Sequence, residues 1–137
     1  MPTEHRNFRP PCPWVVEASG HVFIHCGLTP ELLAGPEEQI EALRTRRWDR
    51  QRLRPVPGTN TDLLWQDGHL VWLGADGELS DSRLAYPGKV QVSGHVRVRN
   101  PEVNDVRIRL DTSGGCGTLT ACLLRSADTE PVFVPSR

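Results

Sequence analysis

The last third of the chain consists of short segments in which apolar and polar residues alternate, and each segment ends at turn residues. The segments are residues 89–98, 106–110, 119–124 and 132–134. A period of two is typical of β-strands, because successive side chains of a strand point to opposite faces of the sheet. In 106–110 the sequence VRIRL predicts one buried face and one face exposed to water. This part of the chain therefore predicts a β-rich fold.

One further strand and one helix are predicted upstream. Residues 20–27 are partly apolar on both faces, which favours an inner strand over an edge strand. Pro36 is suited to the first turn of a helix, and acidic residues at the start with arginines at the end match the helix dipole. These features predict one main helix around 36–47. Together with the strands, they predict an α+β fold class.

Three other stretches complete the predicted organisation. Residues 1–19 contain Pro10, Pro11 and Pro13, so we expect an irregular N-terminal segment. Residues 44–60 form an Arg- and Pro-rich connection, and the Asp67-Gly68 dipeptide predicts a hairpin turn within 63–73. At 137 residues, the chain is long enough for a single domain spanning 1–137.

Composition and charge exclude several classes of partner. The 16 basic and 17 acidic residues leave a net charge of −1, so we expect no nucleic-acid partner and no attraction to an anionic membrane. No leader-like or bilayer-spanning apolar run occurs, which predicts a cytoplasmic protein without membrane contact. The four cysteines, at positions 12, 26, 116 and 122, show no CxxC pair, and we expect them to be thiols.

Two histidines stand where predicted strands end beside glycine. His25 precedes Gly27 by two residues, and His95 directly follows Gly94. Imidazole at a strand end is a common metal ligand, and a neighbouring glycine lets the backbone bend close to an ion. A single histidine in such a position is also compatible with a purely structural role, so the spacing alone leaves both interpretations open.

The order of four short motifs, the last of them in two parts, resembles the C-terminal half of the calcineurin-like metallophosphoesterases. Within that family the motifs look like those of the bacterial serine/threonine phosphoprotein phosphatases and the related dinucleoside tetraphosphate hydrolases. The motifs are IHCGL at 24–28, DLLW at 62–65, GH at 94–95, LDT at 110–112 and LTA at 119–121. The resemblance covers nearly the whole chain.

The resemblance implies a fold and a site. The fold would be the β-rich half of a four-layer α/β/β/α sandwich, with a mixed sheet. His25 and His95 would be two ligands of one ion in a dinuclear centre of Mn, Fe, Zn or Ni, where a metal-activated hydroxide hydrolyses phosphate esters. Gly27, Gly94 and Asp111 would be structural residues near the centre, and no residue of this chain is assigned a catalytic role.

The chain also departs from the family pattern. The Gly-Asp-x-His, Gly-Asp-x-x-Asp-Arg and Gly-Asn-His motifs, which supply the other ligands, do not occur in it, and Cys26 stands where the family has alanine. We therefore expect a truncated member that is inactive alone, or one half of a split phosphatase. A phosphorylated substrate would bind only with an N-terminal half supplied. A sheet face left uncovered by that half would favour self-association.

Two other interpretations stay open. One is a non-catalytic binding module, in which the arginine run at 44–54 contacts a partner together with Trp48, Trp65 and Trp72. The other is a lone zinc site made from His21, His25, Cys26 and His95, whose ligand types suit zinc. Against it, strand alternation through 20–27 would place His25 and Cys26 on opposite faces.

Overall fold

The computed structural model describes residues 13–28, 35–47, 85–126 and 128–136. These residues form one helix and seven strands, all short. The helix is α1 (Pro36–Thr45). The strands are β1 (Val15–Ala18), β2 (His21–Ile24), β3 (Val90–Ser93), β4 (Glu102–Val103), β5 (Arg107–Arg109), β6 (Thr120–Leu123) and β7 (Val132–Pro135).

Five of the strands form one mixed sheet in the order β1-β2-β3-β5-β4, and β6 pairs with β7 in a separate two-stranded sheet. The three central strands β2, β3 and β5 are parallel, while β1 and β4 pair antiparallel at the two edges. The predicted α+β class and mixed sheet are confirmed. The prediction that the strand around 20–27 is an inner strand is also confirmed, because β2 lies between β1 and β3.

The apolar core lies between the sheet and α1. Val22 and Ile24 of β2 contribute one side, and Ile40 and Leu43 of the helix contribute the other. The helix begins at a proline, as predicted, and ends at Thr45. The cap residue Arg46, which follows it, adopts a left-handed conformation with φ 57°. A turn of this kind closes many helices, because it lets a backbone N–H reach a carbonyl of the last turn. The core residues are Val15, Val22, Ile24, Leu28, Ile40, Ala42 and Leu43, with Trp14 and Tyr86 packed against them.

Ion pairs join the helix to the sheet. Glu17 of β1 bonds to both Arg44 of α1 and Lys89, which directly precedes β3. Arg44 also pairs with Glu41 on its own helix, at 2.6 Å. The carboxylate of Glu17 thus connects β1 to α1 and to the residue that precedes β3.

The structure corrects four expectations about the strands. The predicted strand 89–98 ends at Ser93, because a turn at Gly94 and His95 interrupts it. The predicted wet face of 106–110 is wrong, since Arg107 is 1% exposed and Ile108 is 2% exposed. β5 is flanked by β3 and β4 and is covered on both faces, which the alternating sequence does not reveal. Within the predicted irregular segment 1–19, residues 15–18 form β1, and the two-residue strand β4 was not predicted.

Exposed apolar side chains are concentrated on one face of the β6–β7 hairpin. Leu119, Leu123, Val132 and Val134 are 50–65% exposed. Leu123 lies opposite Val132 in the antiparallel register, and Ala121 lies opposite Val134. The central strands of the larger sheet are instead buried on both faces. Self-association through an uncovered sheet face stays a prediction, and the hairpin is the place to test it.

Two further observations concern the described residues. The helix α1, the one helix among the described residues, is too short to cross a lipid bilayer. Cys26, Cys116 and Cys122 form no disulfide with one another. The predicted hairpin at 63–73, the DLLW segment, Cys12, Trp48, Trp65, Trp72 and most of the connection 44–60 lie outside the described residues.

Candidate metal centre

The three parallel strands end at the same edge of the sheet, and each is followed by a residue of the predicted site. His25 directly follows β2, His95 follows β3 by two residues, and Asp111 follows β5 by two residues. The ends of β2 and β3 are joined by a hydrogen bond of 3.0 Å from Gly94 N to the carbonyl oxygen of His25. Because carboxyl ends of parallel strands form a crevice at one edge, this is the usual place for a ligand site in such sheets.

The imidazoles of His25 and His95 are in direct contact. Nε2 of His25 lies 3.1 Å from Nδ1 of His95, the ring centroids are 4.8 Å apart, and the ring planes are inclined by 56°. Two nitrogens bound to one tetrahedral ion at about 2.0 Å are separated by about 3.3 Å. The observed separation therefore fits two ligands of a single ion, and it also fits an N–H···N hydrogen bond between neutral rings.

His95 is held in a backbone conformation that is unusual for a residue with a side chain. Its φ is 66°, and Val96 N donates to Gly94 O at 2.8 Å, closing a three-residue turn with His95 at the centre. Such γ-turns with positive φ are rare and strained, and strain of this kind is concentrated at functional sites. From the sequence, Gly94 is the residue expected to let the backbone bend at this point. In the structure the positive φ belongs to His95 itself.

Glycine is required on the β2 side instead. Gly27 has a φ of 106°, which lies in the region that favours glycine. The segment 25–28 is then fixed by two buried polar side chains from neighbouring strands. Gln91 Oε1 accepts from Leu28 N at 3.3 Å, and Arg107 Nη2 donates to Leu28 O at 3.0 Å. The loop that carries His25 is thus anchored to β3 and β5.

The surroundings of His25 favour the neutral imidazole. Partial desolvation at the sheet edge lowers the pKa of His25 below the ordinary histidine value, and the charge of a protonated His95 lowers it further. The Asp111 carboxylate opposes this change by stabilising the charged ring. A neutral ring nitrogen is the form that binds a metal ion, so the balance of these effects suits a ligand.

Asp111 orders the turn after β5. Its Oδ1 accepts from Gly114 N at 2.7 Å and from Ser113 Oγ at 3.2 Å, while Val98 N donates to its carbonyl oxygen at 2.9 Å. The carboxylate is therefore engaged in local hydrogen bonds and acts on His25 through its charge.

Cys26 joins the two histidines, contrary to the argument from strand alternation. The ligand atoms of His25, Cys26 and His95 all lie within 4.8 Å of one another. Because β2 ends at Ile24, both His25 and Cys26 belong to the bend beyond it, where the alternation rule no longer applies. His21 does not belong to this group: it stands at the opposite end of β2, and its Nδ1 bonds to Ser19 O at 2.8 Å.

The group fits one ion and does not fit two. Among the described residues, only these three side chains bring metal-ligating atoms together here, and no carboxylate belongs to the group. A pair of neighbouring divalent ions needs bridging negative charge, because their mutual repulsion is otherwise uncompensated. An ion held by these three side chains would therefore be a single ion.

The chain matches no protein-family model, no curated protein and no solved structure.

Proposed function

We propose that this chain is a metallophosphoesterase-like lobe in which His25 and His95 bind one divalent transition-metal ion at the carboxyl edge of the five-stranded sheet. In this proposal the chain forms the β-rich half of a four-layer sandwich. The ordered motifs of the sequence suggest the family, and the contact between the two imidazoles supports the site.

The contact of 3.1 Å between His25 Nε2 and His95 Nδ1 carries the proposal. The two residues are 70 positions apart in the chain, and each is delivered by a different parallel strand. The positive φ of His95 and the anchoring of 25–28 by Gln91 and Arg107 support it, because a site that binds an ion benefits from ligands held in place beforehand.

In this proposal the residues of this chain position the ion, and a partner lobe supplies the further ligands that phosphate-ester hydrolysis needs. A bound divalent ion supplies Lewis-acid chemistry for phosphate-ester hydrolysis. His25 and His95 hold it with neutral nitrogens, and their exposed rings keep the centre open to solvent. Since the motifs that supply bridging and further ligands are absent from the sequence, we expect this polypeptide alone to lack phosphatase activity. Activity requires a partner lobe carrying those motifs, and a phosphorylated substrate would bind between the two.

The first test measures metal binding by isothermal titration calorimetry with Zn²⁺ and Mn²⁺. We expect one ion per chain, and a loss of affinity of at least about tenfold in His25→Ala and in His95→Ala. His21→Gln is the matched control, because His21 lies at the other end of β2. Unchanged affinity in both alanine variants, or no binding to the wild-type chain, would refute the metal site.

The second test measures hydrolysis of an aryl phosphate by the metal-replete chain. We expect no rate above that of the buffer with the same metal. A rate that is well above the buffer and is lost in His95→Ala would show that the chain is an active enzyme by itself, contrary to the proposal.

No observation in the described residues favours the binding module. Arg44, the first residue of the proposed arginine surface, is already paired with Glu17 and Glu41. The guanidinium of Arg46 lies 5.7 Å from the centroid of the Trp14 ring.

A further inference from the structure

We infer that the thiolate of Cys26 is a third ligand of the ion and that the centre is a mononuclear His₂Cys zinc site. This inference rests on the proposed function, because it takes His25 and His95 as the other two ligands. It adds the identity of the metal and excludes a dinuclear manganese centre for this chain.

The position of Cys26 carries the inference. The residue directly follows His25, is 4% exposed, and has its Sγ within 4.8 Å of the imidazole nitrogens. Both imidazoles are exposed, so the sulfur lies on the protein side of the group and the rings lie on the solvent side. An ion bound among the three would have sulfur on its protein side and would keep a coordination position open to water.

The distances require only a small adjustment. In a tetrahedral site with Zn–S of about 2.3 Å and Zn–N of about 2.0 Å, a sulfur and a nitrogen ligand are about 3.5 Å apart. The longest separation of 4.8 Å must therefore shorten by about 1.3 Å or less. Rotation of the exposed imidazoles would bring the ligand atoms together, while the bond between Gly94 N and His25 O holds the two strand ends in register.

The donor set selects zinc over the harder metals. Thiolate and imidazole are preferred by Zn²⁺, whereas Mn²⁺ prefers carboxylate, carbonyl and water oxygens. Three protein ligands with one open position are the arrangement of zinc sites that bind water or substrate. The thiolate also contributes the one negative charge that the two neutral rings cannot, which offsets half of the charge of the ion.

Cobalt provides a spectroscopic test that does not depend on activity. The purified full chain is titrated with Co²⁺ under reducing conditions, and zinc affinity is measured by competition with a chromophoric chelator. We expect the wild-type chain to show a near-ultraviolet thiolate-to-cobalt charge-transfer band and to bind Zn²⁺ far more tightly than Mn²⁺. In Cys26→Ala the band should disappear, and zinc affinity should fall by about a hundredfold or more.

Cys116→Ala is the matched control, because Cys116 is exposed on the loop after Asp111 and is not part of the group. It should keep both the band and the affinity. Cys26→Ser is a second variant that preserves the size of the buried side chain, and it should also lose the band. Far-ultraviolet circular dichroism confirms that each variant is folded, and the serine variant decides the matter if the alanine variant does not fold.

The outcomes distinguish the proposed histidine metal site from the inference that Cys26 is a third ligand. If His95→Ala abolishes binding but the wild-type complex has no thiolate band, the histidine site stands and the inference about Cys26 is overturned. A band that persists in both Cys26 variants overturns it as well, since another cysteine then binds the cobalt. If no metal binds to the wild-type chain, the proposed function itself fails.

Discussion

The carboxyl edge of the five-stranded sheet and the β6–β7 hairpin expose side chains of opposite character. At the edge, strands buried on both faces support a few exposed polar groups, and the cysteine beside the histidines is 4% exposed. On the hairpin, Leu119, Leu123, Val132 and Val134 are at least half exposed. Cys122 is half-buried there, and burial raises the pKa of its thiol.

The difference shows what each region can contribute. A site that positions ligands needs rigid strands beneath it, and β2, β3 and β5 are each paired on both sides. The hairpin has only one strand pair and an apolar face toward solvent, so it contributes surface and little rigidity. We therefore expect substitutions in the two regions to affect different measurements.

The largest effect is expected in the sheet core. Ile108→Ala removes a side chain that is 2% exposed at the centre of β5, and the resulting cavity should lower the free energy of unfolding by about 2–5 kcal/mol. Val134→Ala on the hairpin is the matched variant, with an expected change within about 0.5 kcal/mol. Urea denaturation followed by circular dichroism measures both. Equal losses in the two variants would mean that the contrast in burial has no energetic consequence.

The sequence predicted the elements of the fold better than it predicted their burial. The inner position of β2 follows from apolar residues on both of its faces, and the helix follows from Pro36 and the charges at its two ends. The burial of Arg107 was not predictable, because an alternating Val-Arg-Ile-Arg pattern has the same form whether its polar face contacts water or Leu28 O. That contact depends on a segment almost 80 positions earlier in the chain.

The sequence predicted the two histidines of the site but not the position of Cys26. His25 and His95 were identified because both follow strands beside glycine, and parallel strands bring their ends together. Cys26 was assigned to the wrong side because the predicted strand ran past Ile24, where the structure has a bend. The positive φ of His95 had no signal in the sequence, since glycine and not histidine is the usual residue in such a conformation.

The second prediction concerns the apolar face of the hairpin. Leu123→Lys places a charge opposite Val132, at the end of that face nearest the turn between β6 and β7. If copies of the chain associate through it, the variant should weaken self-association by about tenfold or more, because each copy in a symmetric contact loses apolar burial. Size-exclusion chromatography with light scattering over a range of concentrations measures the effect. Val103→Lys, on exposed edge strand β4 of the larger sheet, is the control and should change association little.

The third prediction separates the function of His95 from its effect on stability. A residue with a side chain at φ 66° carries a cost of about 1–2 kcal/mol that glycine avoids. Glycine also adds freedom to the unfolded chain, so we expect His95→Gly to be more stable than His95→Ala by about 0.5–1 kcal/mol. Both variants should lose metal binding equally.

Gly94→Ala is the control for this comparison. Gly94 has no positive φ, and a Cβ there meets no atom within 4 Å, so alanine should be tolerated without strain. Thermal and chemical denaturation of the three variants measure the differences. A His95→Gly variant that is no more stable than His95→Ala would show that the turn after β3 is unstrained.

The smallest effect is expected at Glu17, which joins β1 to α1 and to Lys89, the residue just before β3. Hydrogen bonds from Lys89 and then Arg44 lower the pKa of this carboxyl from its ordinary value of 4.5, so the folded chain binds its proton less readily than the unfolded chain. The ion pairs therefore contribute their full stabilisation when the pH is above the ordinary pKa of the carboxyl, and this contribution is lost as the pH falls through the lowered pKa of the folded state.

Because the carboxylate is 23% exposed, Glu17→Gln should lower the free energy of unfolding by less than about 1 kcal/mol at neutral pH, and the difference from wild type should shrink on acidification. Urea denaturation across a pH series measures this, with Glu130→Gln, at an exposed residue between β6 and β7, as the control. A Glu17→Gln penalty that is constant or grows toward acid pH would show that the carboxylate does not act through its charge.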